Sequence, residues 1–411
     1  MKKILFSILL ITLTTILSSC QDNKEMFSVS YFNYMYTYIG IDMYVSEDDY
    51  VSYEEEIRHV FETYHQLTTS YDPLPIESQF KNNVYSINEQ KNQRLEIDKE
   101  LYDILVRAKA YHELTGGYFD VTLGTPVKLW KTLIENKPEM LSNGVNIFIH
   151  TYLNDEVKKS GVVIESTDDT INVQFENSIE TYRIDELEYE LEVSEAQFLN
   201  IQNQIEALNV ESPEMILEKE NDTYYVTFNA SSQMIDLGAF SKGYATNIVK
   251  EYLINKGVEY FSISAGSSSI AVGKNINRPE QNNVFIVSLT DPMYTSSVFN
   301  SYYGLIHLKD TSVATSGNFE QYTLFEGIRY HHIISPKTYY PVNTFYALTI
   351  VGEDAGLLDA LSTALYAMDI TTFETFMNEY QNQLNIQVIA FVQDGTILKF
   401  TDDLYFEGTR R

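Results

Sequence analysis

The chain has 411 residues, with 58 acidic against 28 basic side chains and a formal charge of −30. This balance argues against nucleic acid as a partner and against electrostatic adhesion to anionic lipid, because both attract positive charge. The single cysteine, Cys20, excludes an intrachain disulfide framework.

The first twenty residues, MKKILFSILLITLTTILSSC, combine two lysines, an apolar stretch and a run of small residues. This pattern predicts a signal peptide over residues 1–19 rather than a lasting membrane span. Leu17-Ser18-Ser19-Cys20 resembles a bacterial lipoprotein processing site, which predicts that Cys20 is lipidated and that residues 20–29 are a tether. The alternative is an ordinary signal peptide with an accidental cysteine. We therefore expect an extracytoplasmic protein anchored to the bacterial cell membrane as a lipoprotein.

Hydrophobic spacing along the rest of the chain predicts an α+β fold, with packed helices on a mixed or antiparallel sheet. A run rich in Tyr, Val and Ile predicts an opening strand pair over 28–46. Helical periodicity predicts helices over 53–69, 98–115, 240–255 and 355–368. Further β-like runs lie at 223–229, 260–264, 283–289, 303–308, 346–351 and 386–392. We expect one large folded body over residues 30–405.

The region 143–195 differs from its surroundings because it is strongly acidic and carries no chemical motif, as in IDELEYELEVSE (184–195). Charged stretches of this kind are usually solvated. We predict a solvated surface insertion. The alternative is an acidic arm that binds a partner.

The stretch IDLGAFSKGYA (235–245) places Lys242 where an apolar run gives way to a helix. The free N–H groups and the dipole of a helix N-terminus attract anions, and a lysine adds a mobile positive charge. Gly238 and Gly243 would let a ligand approach the backbone closely. The segment therefore predicts an anion site; the alternative is a helix that merely begins with Lys and Gly.

Asp359 and Thr363 are four residues apart on a predicted helix, so their oxygens lie on one face. A carboxylate with a hydroxyl suits Mg²⁺ or Mn²⁺ and is a poor zinc site. The alternative is that the Thr363 hydroxyl bonds back to the carbonyl four residues earlier.

The pair His331-His332 precedes two apolar residues, which indicates a strand. Side chains alternate between the two faces of a strand, so only one histidine faces a given surface. This argues against both binding one metal. A single histidine at a strand end could act as a general base near pH 7.

In their order, these segments resemble the ApbE family, the FAD:protein FMN transferases. The motifs are MYT (35–37), TTSYDP (68–73), TGGYFDVTLGTPVKLW (115–130), IDLGAFSKGYA (235–245), SAGSSSI (264–270), VATSGNFEQY with RYHHIISPKTYYP (313–341) and DALSTA (359–364). The resemblance spans residues 30–400 apart from the acidic insertion.

The resemblance implies that FAD is a substrate and that a divalent metal, Mg²⁺ or Mn²⁺, assists. The implied FAD pocket is lined by Met35, Tyr71, Tyr118, Phe119, Asp120, Asp236, Lys242 and Ile333. The implied metal ligands are the Ala239 carbonyl, Asp359 and Thr363, with Ser362 close by. His332 is the candidate base, and Lys242 and Asp236 complete the predicted catalytic set.

The implied reaction transfers FMN from FAD to a threonine hydroxyl of an exported or membrane-bound acceptor protein, and AMP leaves. Water in place of threonine would make the protein an FAD pyrophosphatase. Further alternatives are a lipoprotein that binds FAD without turnover, or one that binds a different solute.

The chain departs from the usual family pattern near the predicted base. Ser335 stands where the family usually has Asp, so it supplies no charged partner to His332. Tyr339 stands where the family has Gly, Tyr36 replaces Gly or Asp, and Ser267-Ser268 replace Gly-Asp. None of these removes a predicted metal ligand. We expect them to alter the shape of the pocket.

Overall fold

The computed structural model describes residues 24–153, 155–208, 213–292, 302–401 and 403–408. The predicted signal peptide, the lipidation site Cys20 and the beginning of the predicted tether lie outside these residues. Within the described ranges, no helix is both long and apolar enough to cross a membrane.

The four helices predicted from apolar spacing are confirmed, and the described ranges contain four more. The helices are α1 (Glu47–Thr68), α2 (Val84–Glu89), α3 (Lys99–Leu114), α4 (Gly124–Glu135), α5 (Glu195–Ala207), α6 (Ser241–Asn255), α7 (Ala355–Tyr366) and α8 (Ile370–Leu384). Helix α1 begins before the predicted residue 53 because the Ser46 hydroxyl caps it, accepting a hydrogen bond from Asp49 N at 3.2 Å.

The predicted strand pair and all six predicted β-like runs are confirmed as strands. The strands are β1 (Lys24–Tyr31), β2 (Ile39–Ser46), β3 (Arg94–Ile97), β4 (Asn146–Tyr152), β5 (Asp155–Ser166), β6 (Thr170–Gln174), β7 (Ile179–Arg183), β8 (Leu187–Glu192), β9 (Glu214–Glu220), β10 (Thr223–Asn229), β11 (Phe261–Ala265), β12 (Ser269–Val272), β13 (Phe285–Thr290), β14 (Tyr302–Leu308), β15 (Thr311–Gly317), β16 (Tyr322–Phe325), β17 (Ile328–His331), β18 (Phe345–Gly352), β19 (Gln387–Val392), β20 (Ile397–Phe400) and β21 (Phe406–Gly408).

The central sheet has eight strands in the order β1-β2-β11-β12-β15-β18-β19-β20, and its paired strands are antiparallel. Two three-stranded sheets, β3-β10-β9 and β13-β14-β21, accompany it. The predicted α+β class with a mixed or antiparallel sheet is therefore confirmed.

Residues 24–29 were predicted to belong to the tether, and that boundary is wrong. They form most of the edge strand β1, which pairs with β2 from Lys24 opposite Ser46 onward. The aromatic ring of Phe27 stacks on Tyr50 with 4.4 Å between ring centroids. Pairing and stacking tie this segment to the sheet, so the folded body begins before residue 30.

The acidic region 143–195 is a folded sheet, for which the sequence analysis predicted no strands. Strands β4 to β8 join β16 and β17 in a seven-stranded sheet of order β17-β16-β8-β4-β5-β6-β7. A small apolar core holds it together, formed by Ile147, Ile149, Val163, Ile171, Val173 and Tyr182. A parallel contact, Leu324 of β16 opposite Glu192 of β8, connects the region to β16. Strand β16 pairs with β17, which ends at His331.

The two faces of the central sheet are covered by different elements, as the alternation of side chains along a strand requires. Leu348 and Ile350 of β18 pack into a core shared with α7 and α8. Ala347 and Val351 point to the other face, where they pack into a core shared with β13, β14 and β21. Helices α6 and α7 thus lie side by side on one face, which brings their ends to the candidate site.

Candidate functional site

One cavity of about 660 Å³ lies where α4, α6 and α7 meet the turn 118–123 and the segment after β17. Backbone hydrogen bonds join the turn 118–123 to the segment before α6. Asp236 N donates a hydrogen bond to Val121 O at 2.8 Å, and Leu123 forms a β-bridge with Met234. The residues that the sequence predicted to line a ligand pocket therefore come together in three dimensions.

Almost all the predicted site residues border this cavity. They are Met35, Tyr71, Tyr118, Phe119, Asp120, Asp236, Ala239, Lys242, His332, Ile333, Asp359 and Thr363. Of the predicted set, Ser362 does not border it, and Cys20 lies outside the described residues. The cavity has the size of a typical small-molecule or cofactor site, roughly 300–1,000 Å³.

The close contact between α6 and α7 depends on Gly243. A Cβ at this position would lie 2.5 Å from Asp359 Cβ and closer still to the Ala355 carbonyl oxygen. Because a side chain is absent, Gly243 N can donate a hydrogen bond to Asp359 Oδ2 at 2.9 Å. The sequence analysis assigned Gly243 to close approach by a ligand, whereas the group that approaches it is the neighbouring helix.

Lys242 lies in the first turn of α6, where no acidic side chain accompanies it. Its ammonium donates a hydrogen bond to the Gly238 carbonyl at 3.0 Å, and Gly238 N in turn donates to Asp236 Oδ1 at 2.7 Å. The lysine therefore folds back over the turn that precedes the helix, with its charge at the cavity and at the N-terminal end of α6.

Asp359 is a buried carboxylate, 5 % exposed, at the floor of the cavity. Burial raises its pKa, while the charge of Lys242 and the hydrogen bond from Gly243 N act in the opposite direction. Thr363 borders the cavity one turn along α7, and its hydroxyl is 3.4 Å from the Asp359 carbonyl oxygen. That distance is long for an O–H···O bond. The alternative role of Thr363, a hydrogen bond to the carbonyl four residues earlier, is therefore weak in this structure.

The Ser362 side chain does not border the cavity. It donates to the Asp359 carbonyl at 2.9 Å and lies 2.9 Å from the Ser316 hydroxyl of β15. With 1 % of its surface exposed, Ser362 ties α7 to the central sheet. Its hydrogen bonds support the turn that carries Asp359, and its place beside a metal stays a prediction.

The two histidines have different surroundings, but the predicted strand ends at His331 and His332 lies just beyond it. His331 is fully buried; its Nε2 is 3.1 Å from the Val342 carbonyl, and its Nδ1 accepts a hydrogen bond from Ile333 N at 3.2 Å. These partners fix a neutral imidazole, because one nitrogen must donate and the other must accept. His331 therefore has a structural role, and His332 is the histidine that faces the cavity.

The imidazole of His332 borders the cavity but is largely enclosed by protein, and its Nδ1 has no hydrogen-bond partner among the described residues. Burial is the main cause that lowers the pKa of His332 to about 3. The positive charges of Lys131 and Lys242, and the adjacent His331, act in the same direction. His332 is therefore neutral at pH 7, with a nitrogen free to accept a proton.

Aromatic residues border the mouth and one wall of the cavity. Tyr71 is 45 % exposed, and the Tyr118 hydroxyl accepts a hydrogen bond from Lys337 Nζ at 2.6 Å. Phe119 is different, because it is 1 % exposed and packs edge-to-face on Phe240 at 5.4 Å. Two tyrosines are thus available to a flat ring, whereas Phe119 mainly holds the turn against the core.

Two of the departures from the family pattern adopt the backbone conformation that favours glycine. Tyr36 has φ of 55° and Tyr339 has φ of 62°, a region that most side chains avoid at a cost of about 1–2 kcal/mol. Partners hold both in place: the Tyr36 hydroxyl donates to Asp72 at 2.6 Å, and the Tyr339 carbonyl accepts from Trp130 Nε1 at 2.7 Å.

The other departures have simpler explanations. Ser335 closes the turn after the histidines, its hydroxyl accepting a hydrogen bond from Lys337 N at 3.2 Å. The Ser267 hydroxyl donates to Glu320 Oε1 at 2.6 Å at the edge of the cavity. These residues modify the rim and leave the predicted metal oxygens in place.

One side of α4 borders the cavity, and the sequence analysis missed it. Gly124, Val127, Lys131 and Glu135 all line the space. Their spacing of three and four residues is that of one helix face, so the helical period was the signal that could have identified them. Lys131 is the important member, because it brings a second ammonium to the site.

The fold and the cavity together define a class of protein: an α+β protein with a cavity of small-molecule size that two lysines and two accessible tyrosines border. The ApbE family model matches residues 35–388. The chain belongs to the ApbE family.

Relatives and solved structures agree with this membership. A Haemophilus influenzae protein named FAD:protein FMN transferase is 23% identical over 407 residues, which cover 97% of this chain and 96% of that protein. A Buchnera aphidicola protein of the same name is 23% identical over 277 residues, 67% of this chain but only 63% of that protein. The crystal structure of the ApbE protein from Thermotoga maritima has a TM-score of 0.61 and 21% identity, covering 91% of this chain and 97% of that one.

Proposed function

We propose that the chain is an FAD:protein FMN transferase, which moves FMN from FAD to a threonine hydroxyl of an acceptor protein and releases AMP. The observation that carries the proposal is that Lys242 of α6 and the Asp359–Thr363 oxygens of α7 border one cavity. Membership of the ApbE family and the activity for which its relatives are named support the same function.

The charges around the cavity support a divalent metal as part of the site. Its lining includes two lysines, Lys131 and Lys242, and five carboxylates: Asp120, Glu135, Asp236, Glu320 and Asp359. A diphosphate would enter against this excess of negative charge. A bound divalent cation would neutralise part of the charge on the diphosphate and polarise its phosphorus–oxygen bonds.

The oxygens available fit Mg²⁺ or Mn²⁺. Among the described residues no cluster of three or more His, Cys, Asp or Glu side chains forms a metal site. The ligands would be the Asp359 carboxylate, the Thr363 hydroxyl and the Ala239 carbonyl, which are hard oxygen donors of the kind these cations prefer. The burial that raises the pKa of Asp359 also makes this carboxylate the group that gains most from a nearby cation.

The reaction needs one bond to form and one to break at the same phosphorus. The threonine oxygen of the acceptor attacks the phosphorus on the flavin side of FAD, and the bond from that phosphorus to the bridging oxygen breaks. AMP leaves with the bridging oxygen. Lys242 stabilises the charge that develops on the diphosphate, which is the main contribution an enzyme makes to phosphoryl transfer.

His332 accepts the proton of the attacking hydroxyl in this proposal. Its Nδ1 is free and its imidazole is neutral in the ligand-free protein. The pKa of about 3 is low for a general base. A bound diphosphate would offset the charges of Lys131 and Lys242 that help to lower it, so His332 becomes a stronger base once the substrate is present.

The proposal also places the protein outside the cytoplasm, held at the membrane by a lipid on Cys20. The sequence Leu17-Ser18-Ser19-Cys20 at the end of a signal-like segment supports this location. Acceptors in this setting would be exported or membrane-bound proteins.

The test incubates the purified chain with FAD, Mg²⁺ and an acceptor peptide that contains a threonine, followed by mass spectrometry of the peptide. We expect the peptide mass to rise by FMN minus one water, with one AMP released for each peptide modified. A peptide with alanine in place of the threonine is the matched control. Release of FMN and AMP without peptide labelling would instead indicate a pyrophosphatase, and intact bound FAD would indicate a binding protein.

A further inference from the structure

Lys131 is a positively charged residue of the cavity that neither the sequence motifs nor the proposed reaction uses. It lies on the cavity side of α4, one turn after Val127 and one turn before Glu135. Its side chain is 25 % exposed. A lysine so far enclosed normally needs a reason to be there, because burial of a charge is unfavourable.

The partners of Lys131 do not use its full capacity. Its ammonium donates a hydrogen bond to the Tyr71 hydroxyl at 3.2 Å and lies 3.9 Å from Asp236 Oδ2, at the outer limit of an ion pair. Burial acts to lower the pKa of Lys131, but Asp236 and Tyr71 raise it above the ordinary value, so the group is charged at neutral pH. An ammonium has three N–H donors, so donors remain that can turn toward a ligand.

Lys131 and Lys242 border the same cavity from two different helices. Both charges act on the imidazole of His332, which borders the same cavity. Among the described residues that line the cavity, these two are the lysines, and no arginine accompanies them. Two ammonium groups facing one concave space match a ligand with two adjacent negative charges.

We propose that Lys131 is a second phosphate-binding lysine, which contacts the diphosphate of FAD from α4 while Lys242 contacts it from α6. The inference rests on the proposed function in taking FAD as the substrate. Asp236 and Tyr71 hold the ammonium in position in the free protein, and the diphosphate takes the remaining donors. Lys131 thereby contributes to the affinity for any ligand with this diphosphate and not to the affinity for the flavin ring.

The first test measures equilibrium binding of FAD, ADP and riboflavin to the wild-type chain and to Lys131→Met in the presence of Mg²⁺. We expect the Kd for FAD and for ADP to rise about ten-fold or more, as for a lost hydrogen bond between charged groups, and the Kd for riboflavin to change less than two-fold. Lys128→Met is the matched control, because Lys128 lies on the same helix, is exposed and does not line the cavity. Equal FAD affinity in the two variants would overturn the inference.

The second test uses the unaltered protein and does not depend on the variant folding. An amine-reactive acetylating reagent labels lysines, and peptide mass spectrometry reports the labelling of Lys131 and Lys128 separately. We expect ADP with Mg²⁺ to protect Lys131 but not Lys128, and riboflavin to protect neither. Equal labelling of Lys131 with and without ADP would contradict the proposal.

The two proposals fail in different ways. If the wild-type chain labels the threonine peptide while Lys131→Met binds FAD like Lys128→Met, the transferase function stands and the role of Lys131 is wrong. If ADP protects Lys131 but no peptide is modified under any condition, the phosphate site stands and the transferase function is wrong. If the wild-type chain binds neither FAD nor ADP, both are wrong.

Discussion

The contact between α6 and α7 depends on the absence of a side chain at Gly243, so a single added methyl group should disturb it. In Gly243→Ala the new Cβ would lie 2.5 Å from Asp359 Cβ, whereas ordinary contacts begin at 3.4 Å. The other close neighbour is the backbone carbonyl of Ala355, which cannot rotate away. The two helices must therefore separate, and the hydrogen bond from Gly243 N to Asp359 Oδ2 is strained or lost.

The magnitude follows from three contributions. Overpacking costs about 1–3 kcal/mol, and loss of a hydrogen bond to a charged group costs about 1.5–3 kcal/mol. Alanine gains about 1 kcal/mol over glycine in helix propensity. The free energy of unfolding of Gly243→Ala should fall by roughly 1.5–5 kcal/mol. FMN transfer should fall as well, because Asp359 moves relative to Lys242.

Urea unfolding followed by circular dichroism measures the first effect, and the peptide-labelling assay measures the second. Gly356→Ala is the comparator, because it adds the same methyl group to α7 with its nearest neighbours 3.2 Å away. We expect a smaller loss of stability there. A Gly243→Ala protein as stable and as active as Gly356→Ala would refute the argument that this glycine sets the position of Asp359.

Three further results are expected. Asp359→Ala should abolish Mg²⁺-dependent transfer while circular dichroism shows an intact fold, and undiminished turnover would refute the metal assignment. The value of kcat/KM for FAD should stay level as the pH falls through 6.5, because the unprotonated imidazole of His332 is the active form. The pKa of His332 in the free protein is about 3. A loss of activity centred near pH 6.5 would contradict the buried environment of His332. Trp130→Phe removes the indole N–H that donates to the Tyr339 carbonyl at 2.7 Å. The free energy of unfolding in urea should therefore fall by about 1–3 kcal/mol. An unchanged midpoint would show that this bond does not hold the turn at Tyr339.

The helices and most strands were predictable because their apolar residues recur at the period of the element. Residues such as Ile57, Phe61 and Tyr64 repeat at helical spacing, and all three are buried in α1. Its start was missed because Ser46 and the acidic residues after it carry a capping signal and no apolar period.

The acidic region 143–195 was not predicted as a sheet for a different reason. In β5, only Val163 is fully buried within a strand that is otherwise charged or half-exposed, so the alternation is hard to detect. The pairing of β8 with β16 is a contact between distant parts of the chain that no local pattern encodes.

The candidate site was predictable to the extent that its motifs are local. Lys242 at a helix start and the Asp359–Thr363 pair could be read from their spacing, and the structure brings them to one cavity. The orientation of Ser362 could not, because it depends on Ser316 in a distant strand. Lys131 could have been found by extending the helical period beyond Trp130.

The central claim is that Lys242 and Asp359 hold one metal-bridged diphosphate between two helices. The most direct test measures the affinity for FAD with and without saturating Mg²⁺ in the wild-type chain and in Asp359→Ala. The account predicts that Mg²⁺ tightens FAD binding in the wild type, that FAD tightens Mg²⁺ binding by the same factor, and that Asp359→Ala removes this coupling. An FAD affinity that does not change with Mg²⁺ in the wild type, or the same coupling in Asp359→Ala, would contradict this claim.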